Sequence, residues 1–238
     1  MKKTVLHKAD SRGHADHGWL NAYHSFSFAG YYDPERVQFG TLRVLNDDTV
    51  AAGMGFGTHS HDNMEIITIP LEGDLAHKDS MGNTEVIKNG DVQVMSAGTG
   101  IQHSEFNPNH DQRTKLLQIW VFPKEPNVTP RYQQITLNPE DRNNKLQQIL
   151  SPNPEDSGVW IHQDAWFNLG KFEAGISQTY TINKKGNGLY AFVLKGTLTI
   201  DSEELNTRDG LGITDFETLG IKATTDAEFL LMEIPMKH

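Results

Sequence analysis

Two short segments of this sequence carry metal-binding residue types two positions apart. His59 and His61 lie in GTHSHDNMEI, and His103 and Glu105 lie in GIQHSEFN. In a β-strand, residues i and i+2 project from the same face, about 6.6 Å apart along the chain. On neighbouring antiparallel strands, opposed Cβ atoms lie about 4.5–5.5 Å apart. Two such pairs would therefore bring three imidazoles and one carboxylate within reach of a single metal ion.

These four donors also limit the metal and the kind of site. The chain has no cysteine, so any metal must be held by nitrogen and oxygen. Three neutral imidazoles and a carboxylate suit one divalent first-row metal, which can be Fe, Ni, Mn, Cu, Co or Zn. Four protein ligands leave two positions of an octahedron open, and open positions are what metal chemistry needs. The pattern therefore predicts a reactive centre and not a structural one.

Glu65 follows the first histidine pair by four residues, and two interpretations of it stay open. A turn at Asp62 and Asn63 would return Glu65 to the histidines, as a ligand or as a neighbouring carboxylate. Otherwise Glu65 is a turn residue in a surface salt bridge, which contributes little to stability.

The remaining histidines have simpler interpretations. His24 shares a strand face with Phe26 and Phe28, so it is expected to be packed or to form a pocket wall. His162, in WIHQDAW, is expected to be part of hydrogen-bonded structure. The others are expected at the surface or in turns: His7, His14, His17, His77, His110 and His238. Three apolar residues could line a pocket over the metal, although core packing explains each singly: Phe56, Met64 and Met95.

The elements that must position these residues are strands. Short apolar runs alternate with Gly, Asn and Asp turn signals, as in GTLRVLN, EIITIPLEG, DVQVMSAG, TKLLQIWVF and YAFVLKGTLTI. Such runs predict a barrel or sandwich. Between residues 123 and 158, prolines and polar residues mark a joint, where NPEDRNNKLQQ is predicted to hold a short helix that opens with Pro after Asn. We predict an all-β chain with two domains, residues 1–125 and 126–238.

The second half repeats the first. IPLEGDL at 69–75 matches FVLKGTL at 192–198, and the spacing from Gly90 to Gly100 recurs from Gly210 to Gly220. The alternative is chance similarity between turns that contain glycine. If the β unit is duplicated, the positions of the four metal-binding residues are taken in the second half by Ile182, Lys184, Ala223 and Thr225. One metal is therefore expected, in the N-terminal half.

Composition excludes several classes of function. A net charge of −10 argues against direct nucleic-acid binding, which normally requires a basic surface. The N-terminus MKKTVLHKAD lacks the apolar stretch of a signal peptide, and no run approaches the length of a membrane span. Since the chain also lacks cysteine, we expect a cytoplasmic protein without a membrane association. We also expect it to be a monomer.

These motifs resemble the pirin family of bicupins, in the cupin superfamily. Gly53, the pattern His59-x-His61-x-x-x-Glu65 and Gly73 resemble the first cupin motif, with one extra residue before that glycine. Gly90 through His103 to Asn107 resembles the second motif. The closer likeness to pirins is carried by DHGWLNAYHSFSF, GTLRVLND, HSHDNMEIITIPLEGDLAHKDSMGN and GDVQVMSAGTGIQHSEFN. The second half matches loosely, through WIHQDA and LLMEIP.

The resemblance implies two tandem cupin, jelly-roll-like β-barrels with a short helical linker region and a metal held by His59, His61, His103 and Glu105. Most cupins use the first-motif glutamate as ligand, but pirins resemble a variant that uses the second-motif Glu105, with Glu65 close to the metal or facing the substrate. The implied activity is a quercetin 2,3-dioxygenase, with a flavonol and O2 as substrates, iron as the expected metal, and Glu105 or Glu65 as the catalytic base. Two alternatives remain: an enzyme for another substrate, or a non-enzymatic, metal- or redox-sensing protein that binds a transcription factor or metabolic enzyme.

Overall fold

The computed structural model describes residues 2–237, and its regular structure is almost entirely β. The prediction for His238 lies outside the described residues. The strands of the first half are β1 (Lys3–His7), β2 (Gly13–Asp16), β3 (Leu20–His24), β4 (Leu42–Val50), β5 (Gly55–His61), β6 (Glu65–Glu72), β7 (Leu75–Asp79), β8 (Thr84–Ile87), β9 (Asp91–Ser96), β10 (Ile101–Phe106) and β11 (Thr114–Val121). Those of the second half are β12 (Arg131–Thr136), β13 (Leu146–Ser151), β14 (Val159–Trp160), β15 (Trp166–Phe172), β16 (Ser177–Thr181), β17 (Asn187–Lys195), β18 (Leu198–Ile200), β19 (Glu203–Leu205), β20 (Gly210–Thr214), β21 (Thr218–Ala223) and β22 (Ala227–Pro235). Short 3-10 helices span Ala9–Ser11 and Pro139–Arg142.

The strands form two matching pairs of sheets. The first pair has a seven-stranded sheet in the order β12-β9-β6-β11-β4-β3-β2 and a four-stranded sheet in the order β5-β10-β7-β8. The second pair has the orders β1-β20-β17-β22-β15-β13-β14 and β16-β21-β18-β19. The first six strands of the two seven-stranded sheets correspond one to one when the sheets are taken in these orders, from β12 to β3 in one and from β1 to β13 in the other. This correspondence supports the predicted duplication and confirms the all-β, cupin-like fold.

One strand of each half belongs to the sheet of the other. β1 pairs with β20 of the second half, and β12, which follows residue 125, pairs with β9 of the first half. The division into residues 1–125 and 126–238 stays a prediction, and the strand pairing departs from it at these two strands.

The joint between residues 123 and 158 is more extended than helical. Asn138 caps the second 3-10 helix, because its side chain accepts a hydrogen bond from the backbone N–H of Glu140, and Pro139 opens the helix as predicted. The helix ends at Arg142. The segment LQQILS alternates in burial and becomes β13, so only the first part of the predicted helix forms.

Alternation along the strands builds three layers of side chains. The two seven-stranded sheets face each other across the largest apolar cluster, to which β11 contributes Leu117, Ile119 and Val121. A second apolar layer fills the space between the sheets of the C-terminal half. In the N-terminal half, the equivalent space holds only two small apolar clusters, around Leu75 and around Ile66, with polar side chains between them. No helix among residues 2–237 has the length and hydrophobicity to cross a membrane.

Candidate metal centre

The two histidine-bearing segments are neighbouring antiparallel strands, as predicted. In the ladder between β5 and β10, His103 lies opposite His59, and Ile101 lies opposite His61. The imidazole centroids are separated by 4.4 Å for His59 and His103, 4.8 Å for His59 and His61, and 5.0 Å for His61 and His103. One ligand atom from each ring lies within 4.8 Å of the others. The three imidazoles can therefore converge on one ion.

Glu105 projects from the same buried face of β10 as His103, and a bulge separates the two residues. Its only hydrogen bonds to a described side chain come from Gln118, whose Nε2 donates to its two carboxylate oxygens at 3.4 and 3.3 Å. Burial raises the pKa of Glu105 to about 7. A buried carboxylate without a cation is costly, and a metal ion beside it would supply the missing positive charge.

His77 is the residue of this cluster that the sequence interpretation missed. It was expected at the surface or in a turn, but it is 1% exposed and lies opposite Glu105 on β7. Its ligand atom groups with those of His103 and Glu105, again within 4.8 Å. The expectation was wrong because LAHKD is a strand that turns His77 and Asp79 inward, with the same spacing of two that identified the other donors.

Asp79 holds His77 in place. His77 Nε2 donates to Asp79 Oδ2 at 3.1 Å. Asp79 also accepts from the backbone N–H groups of Met81 and Asn83 at 2.9 and 3.1 Å and from the Asn83 amide at 2.8 Å. Burial opposes ionisation of Asp79, but these hydrogen bonds outweigh it and lower its pKa. Asp79 is thus an ionised acceptor that fixes the orientation of the His77 ring.

The donor set fits a divalent metal. Both ring nitrogens of His103 and Nδ1 of His77 are buried without a hydrogen-bond partner among residues 2–237. Buried polar atoms are normally paired, because each unpaired one costs free energy. Burial, reinforced by the neighbouring histidines, lowers the pKa of His61 to about 4 and that of His103 to about 3. Both rings are therefore neutral at pH 7, which is the form that binds a metal.

A cavity of about 90 Å³ lies over the histidines. Its wall combines aromatic and polar side chains: Phe28, Phe56 and Trp120 with His24, Asn46, Asp48 and Gln118. The position of His24 as a pocket wall is confirmed, and its Nδ1 is 2.8 Å from the Asn46 side-chain oxygen. Phe56 also lines the cavity, whereas Met64 and Met95 belong to a separate apolar cluster with Ile66.

Asp48 is a second residue that the sequence interpretation missed. It lines the cavity, is 5% exposed, and has one carboxyl oxygen without a partner in the described chain. Burial, with smaller contributions from Asp47 and Glu105, raises its pKa to about 8. The alternation of Asn46 and Asp48 in VLNDDTV was the available signal, but the sequence does not show that their shared face lines a cavity.

Glu65 does not join the histidines. β6 begins at Glu65, so strand alternation places it on the face of Ile67, which packs between the two halves, and opposite to Ile66. Its Oε2 accepts a hydrogen bond from Ser96 Oγ at 2.7 Å, and burial raises its pKa to about 7. The expectation that Glu65 lies near the metal or faces the substrate is therefore wrong. The turn at Asn63, where φ is 47°, leads the chain from β5 in one sheet to β6 in the other.

The other histidines divide between surface and core. His14, His17 and His110 are exposed, as predicted. His7 is buried, contrary to prediction, because β1 joins the second sheet and places its Nδ1 2.9 Å from the Tyr190 hydroxyl. His162 packs edge-on against Trp160.

Strand register locates the same positions in the second half. We aligned the halves at Gly73 and Gly196, which follow β6 and β17. Residues that pair with equivalent residues on the neighbouring strand were then taken as equivalent. The equivalent residues are His77 and Ile200, Glu105 and Ile221, His103 and Leu219, and His59 and Tyr180. The sequence pairing through Gly90 and Gly210 was out of register, since it placed Ala223 where Leu219 stands. The pairing that placed Ile182 at the position of His59 was also out of register, because Tyr180 stands there. None of the four equivalent positions in the second half holds a histidine or a carboxylate.

Two further replacements fill and close the second half. Gly170 stands where Asp48 stands, and the Phe229 ring fills the space, since a Cβ added at Gly170 would lie 2.3 Å from that ring. Glu233 stands where Trp120 stands and is fully buried. It accepts five hydrogen bonds: from Tyr180 Oη at 2.7 Å, from the backbone N–H of Asn183 at 2.8 Å and of Lys184 at 2.9 Å, and from the amides of Asn183 at 2.8 Å and Asn187 at 2.9 Å.

Two tandem cupin-like units, of which the first gathers three histidines and a buried glutamate, define a bicupin. Residues 5–121 match the family Pirin, and residues 148–234 match the family described as the quercetinase C-terminal cupin domain. The chain is 46% identical over 234 residues to a quercetin 2,3-dioxygenase of Escherichia coli. The matched region covers 97% of this chain and 98% of the relative. The chain belongs to the pirin family.

Solved structures agree with this assignment. The crystal structure of YhhW from Escherichia coli superimposes with a TM-score of 0.94 at 43% identity, over 99% of this chain and 100% of that one. The nickel(II) complex of bacterial pirin YhhW gives a TM-score of 0.93 at 43% identity, over 98% and 99% of the two chains. The bound nickel of that relative and the histidine–glutamate cluster here support a divalent metal.

Proposed function

We propose that this protein is a metal-dependent dioxygenase that cleaves flavonols such as quercetin, with one divalent metal held by His59, His61, His103 and Glu105. The observation that carries the proposal is the convergence of three imidazoles on one point below a cavity, with a buried carboxyl beside them. The name of the Escherichia coli relative supports the oxidoreductase class and the substrate.

The expected metal is iron, and the nickel complex of a relative makes nickel the first alternative. When bound, the metal would polarise a coordinated substrate oxygen and mediate electron transfer to dioxygen. The chain supplies two nearby carboxyl groups. Glu105 takes the proton of the reacting hydroxyl, and Asp48, which lines the cavity, hydrogen-bonds a substrate oxygen. Glu65 has no part in this chemistry because it faces away from the cavity.

The cavity determines how much of the substrate enters. About 90 Å³ is below the roughly 300–1,000 Å³ of sites that enclose drug-sized ligands. Only the ring that carries the reacting oxygen enters, against the wall formed by Phe28 and Trp120, which pack edge to face with centroids 5.4 Å apart. The rest of the flavonol lies outside the cavity, next to the half-buried His61.

The same small cavity favours the second candidate, a non-enzymatic protein that binds a transcription factor or metabolic enzyme according to its metal or redox state. Its acidic surface suits a protein partner better than a nucleic acid. The cytoplasmic location and monomeric state expected from the sequence stay predictions.

An oxygen-uptake assay separates the two candidates. Protein of measured metal content is mixed with quercetin in air, and oxygen consumption is followed together with the loss of the long-wavelength absorbance of the flavonol. His103→Ala should lose metal and turnover, while His14→Ala, at an exposed histidine, should keep both. No oxygen uptake by wild type loaded with iron, nickel, manganese, copper or cobalt would reject the dioxygenase in favour of the interaction protein.

A further inference from the structure

Three nitrogen atoms at the centre have no partner in the described chain: Nδ1 and Nε2 of His103 and Nδ1 of His77. A metal ion bonded to His103 uses one ring nitrogen. The other nitrogen then carries the proton of the neutral ring and becomes a buried donor that needs an acceptor. Metal-bound histidines almost always donate this second N–H to a neighbouring group, which fixes their orientation.

His77 has the matching requirement. Because an ionised carboxylate can only accept, the contact with Asp79 places the proton of His77 on Nε2. Its Nδ1 therefore carries a lone pair, and one ring nitrogen of His77 lies within 4.8 Å of a ring nitrogen of His103. The centroids of the two rings are 5.4 Å apart, close to the separation of two imidazoles joined nitrogen to nitrogen, but no hydrogen bond joins these nitrogens before a metal is bound.

We propose that His77 is a positioning residue of the metal centre, which accepts the second N–H of His103 at Nδ1 and is itself held by Asp79. The inference rests on the proposed metal centre and adds a chain of contacts that runs from the metal through His103 and His77 to Asp79. The contact between His103 and His77 pairs the second ring nitrogen of His103 with Nδ1 of His77, which a metal ion bound to His103 would leave unpaired. The ring of His77 also packs at a tilt against Tyr132, with centroids 4.9 Å apart.

Glu105 is the competing acceptor for the same proton. Its oxygens accept from Gln118, and the proposed function uses them as metal ligand and as base, so a further N–H from His103 would compete with both roles. If Glu105 also accepted from His103, Nδ1 of His77 would remain buried and unpaired. Acceptance by His77 satisfies both rings and leaves Glu105 to the metal.

The test uses zinc-loaded protein with 15N-labelled histidine, which needs no turnover. In wild type, NMR should show the His77 proton on Nε2 and a His103 ring N–H that exchanges slowly with solvent. His77→Leu should accelerate that exchange and weaken zinc binding, measured by chelator competition, by about 10–100-fold. His77→Gln, whose amide provides both an acceptor and a donor, should restore most of the affinity.

His7→Gln serves as the matched control, because His7 is a buried histidine outside the site, and it should leave zinc affinity unchanged. A His77 proton found on Nδ1 in wild type would overturn the proposal without any variant, and so would a direct zinc bond to His77. Unchanged affinity and exchange in His77→Leu would also overturn it. The metal centre itself would fail separately, by tight zinc binding in His103→Ala.

Discussion

The two halves of the chain use the same strands in the same order but fill the space between their sheets in opposite ways. In the C-terminal half, that space holds an apolar cluster that includes Leu219, Ile221 and Tyr180. In the N-terminal half, the equivalent positions are His103, Glu105 and His59. A duplicated fold therefore provides the same positions twice, and a few side-chain types decide whether they form a core or a centre for chemistry.

The comparison also shows what an open site costs. In the second half, Phe229 fills the place of Asp48, and Glu233 binds the loop at 183–187 across the end of the sandwich. In the first half, the position of Glu233 is taken by Trp120, whose ring packs 4.8 Å from that of His61, and both rings line the cavity. Polar atoms without partners gather in the open half, where burial is least compensated.

The largest expected difference between the halves is metal content. His103→Ala should reduce bound metal from one ion per chain to almost none while the fold persists, because it removes a ligand from a polar space. Its counterpart Leu219→Ala should keep the metal and lower the free energy of unfolding by about 2–5 kcal/mol, since it opens a cavity in an apolar core. Elemental analysis and denaturant unfolding of both variants measure this, and equal metal content in the two would break the comparison.

The closed end of the second half gives the next effect. Glu233→Ala leaves five donors without their buried acceptor, so the free energy of unfolding should fall by about 3–5 kcal/mol. At the equivalent place in the first half, Trp120→Phe removes an indole N–H that has no partner in the described chain, and it should change stability little. Thermal unfolding compares the two, and a larger loss for Trp120→Phe would contradict this account.

Asp48 should make the stability of the metal-free first half depend on pH. Its folded pKa is raised to about 8, above the unfolded value of about 3.9. The stability associated with its protonated form is complete below the unfolded value and is lost as pH rises through 8. Asp48→Asn removes this loss, so the variant should match wild type near pH 4 and exceed it by about 2–4 kcal/mol at pH 8. Urea unfolding across this range measures the difference, and a constant difference would exclude Asp48 as its cause.

The smallest effect is expected at Glu65. Because it faces the layer between the halves, Glu65→Gln should leave metal affinity unchanged and alter stability by about 1 kcal/mol through its bond to Ser96. Glu105→Gln should weaken metal binding, since an amide is a poorer ligand than a carboxylate. If Glu65→Gln loses the metal and Glu105→Gln keeps it, the assignment of the oxygen ligand is reversed.

The sequence was sufficient wherever the signal was local. The spacing of His59 with His61 and of His103 with Glu105 predicted both strands and their shared face, because strand geometry alone relates residues two apart. The duplicated units were predicted from repeated turns. Glu65 was misplaced because its face depends on the residue at which β6 begins, which the turn at Asp62 and Asn63 left open.

The remaining errors concern partners distant in sequence. His77 and Asp48 carry ordinary strand patterns, and their importance comes only from Glu105 and the cavity, which other strands bring to them. β12 has the half-buried pattern of an edge strand, but nothing in RYQQIT indicates that its neighbour is β9. The register error at Leu219 arose because Gly90 and Gly210 are not equivalent in the ladders.

The exchange of β1 and β12 affects how the protein is made. During synthesis, the first strand of the chain has no partner until β20, at residues 210–214, has been made. The metal-bearing sheet lacks its outer strand until residues 131–136 are available. Domains generally fold from the N-terminus as the chain is made. In this protein, neither half can complete its larger sheet alone, because each needs one strand from the other half. Cutting it after residue 125 would leave β9 and β20 as open edges, each a template for pairing with another chain.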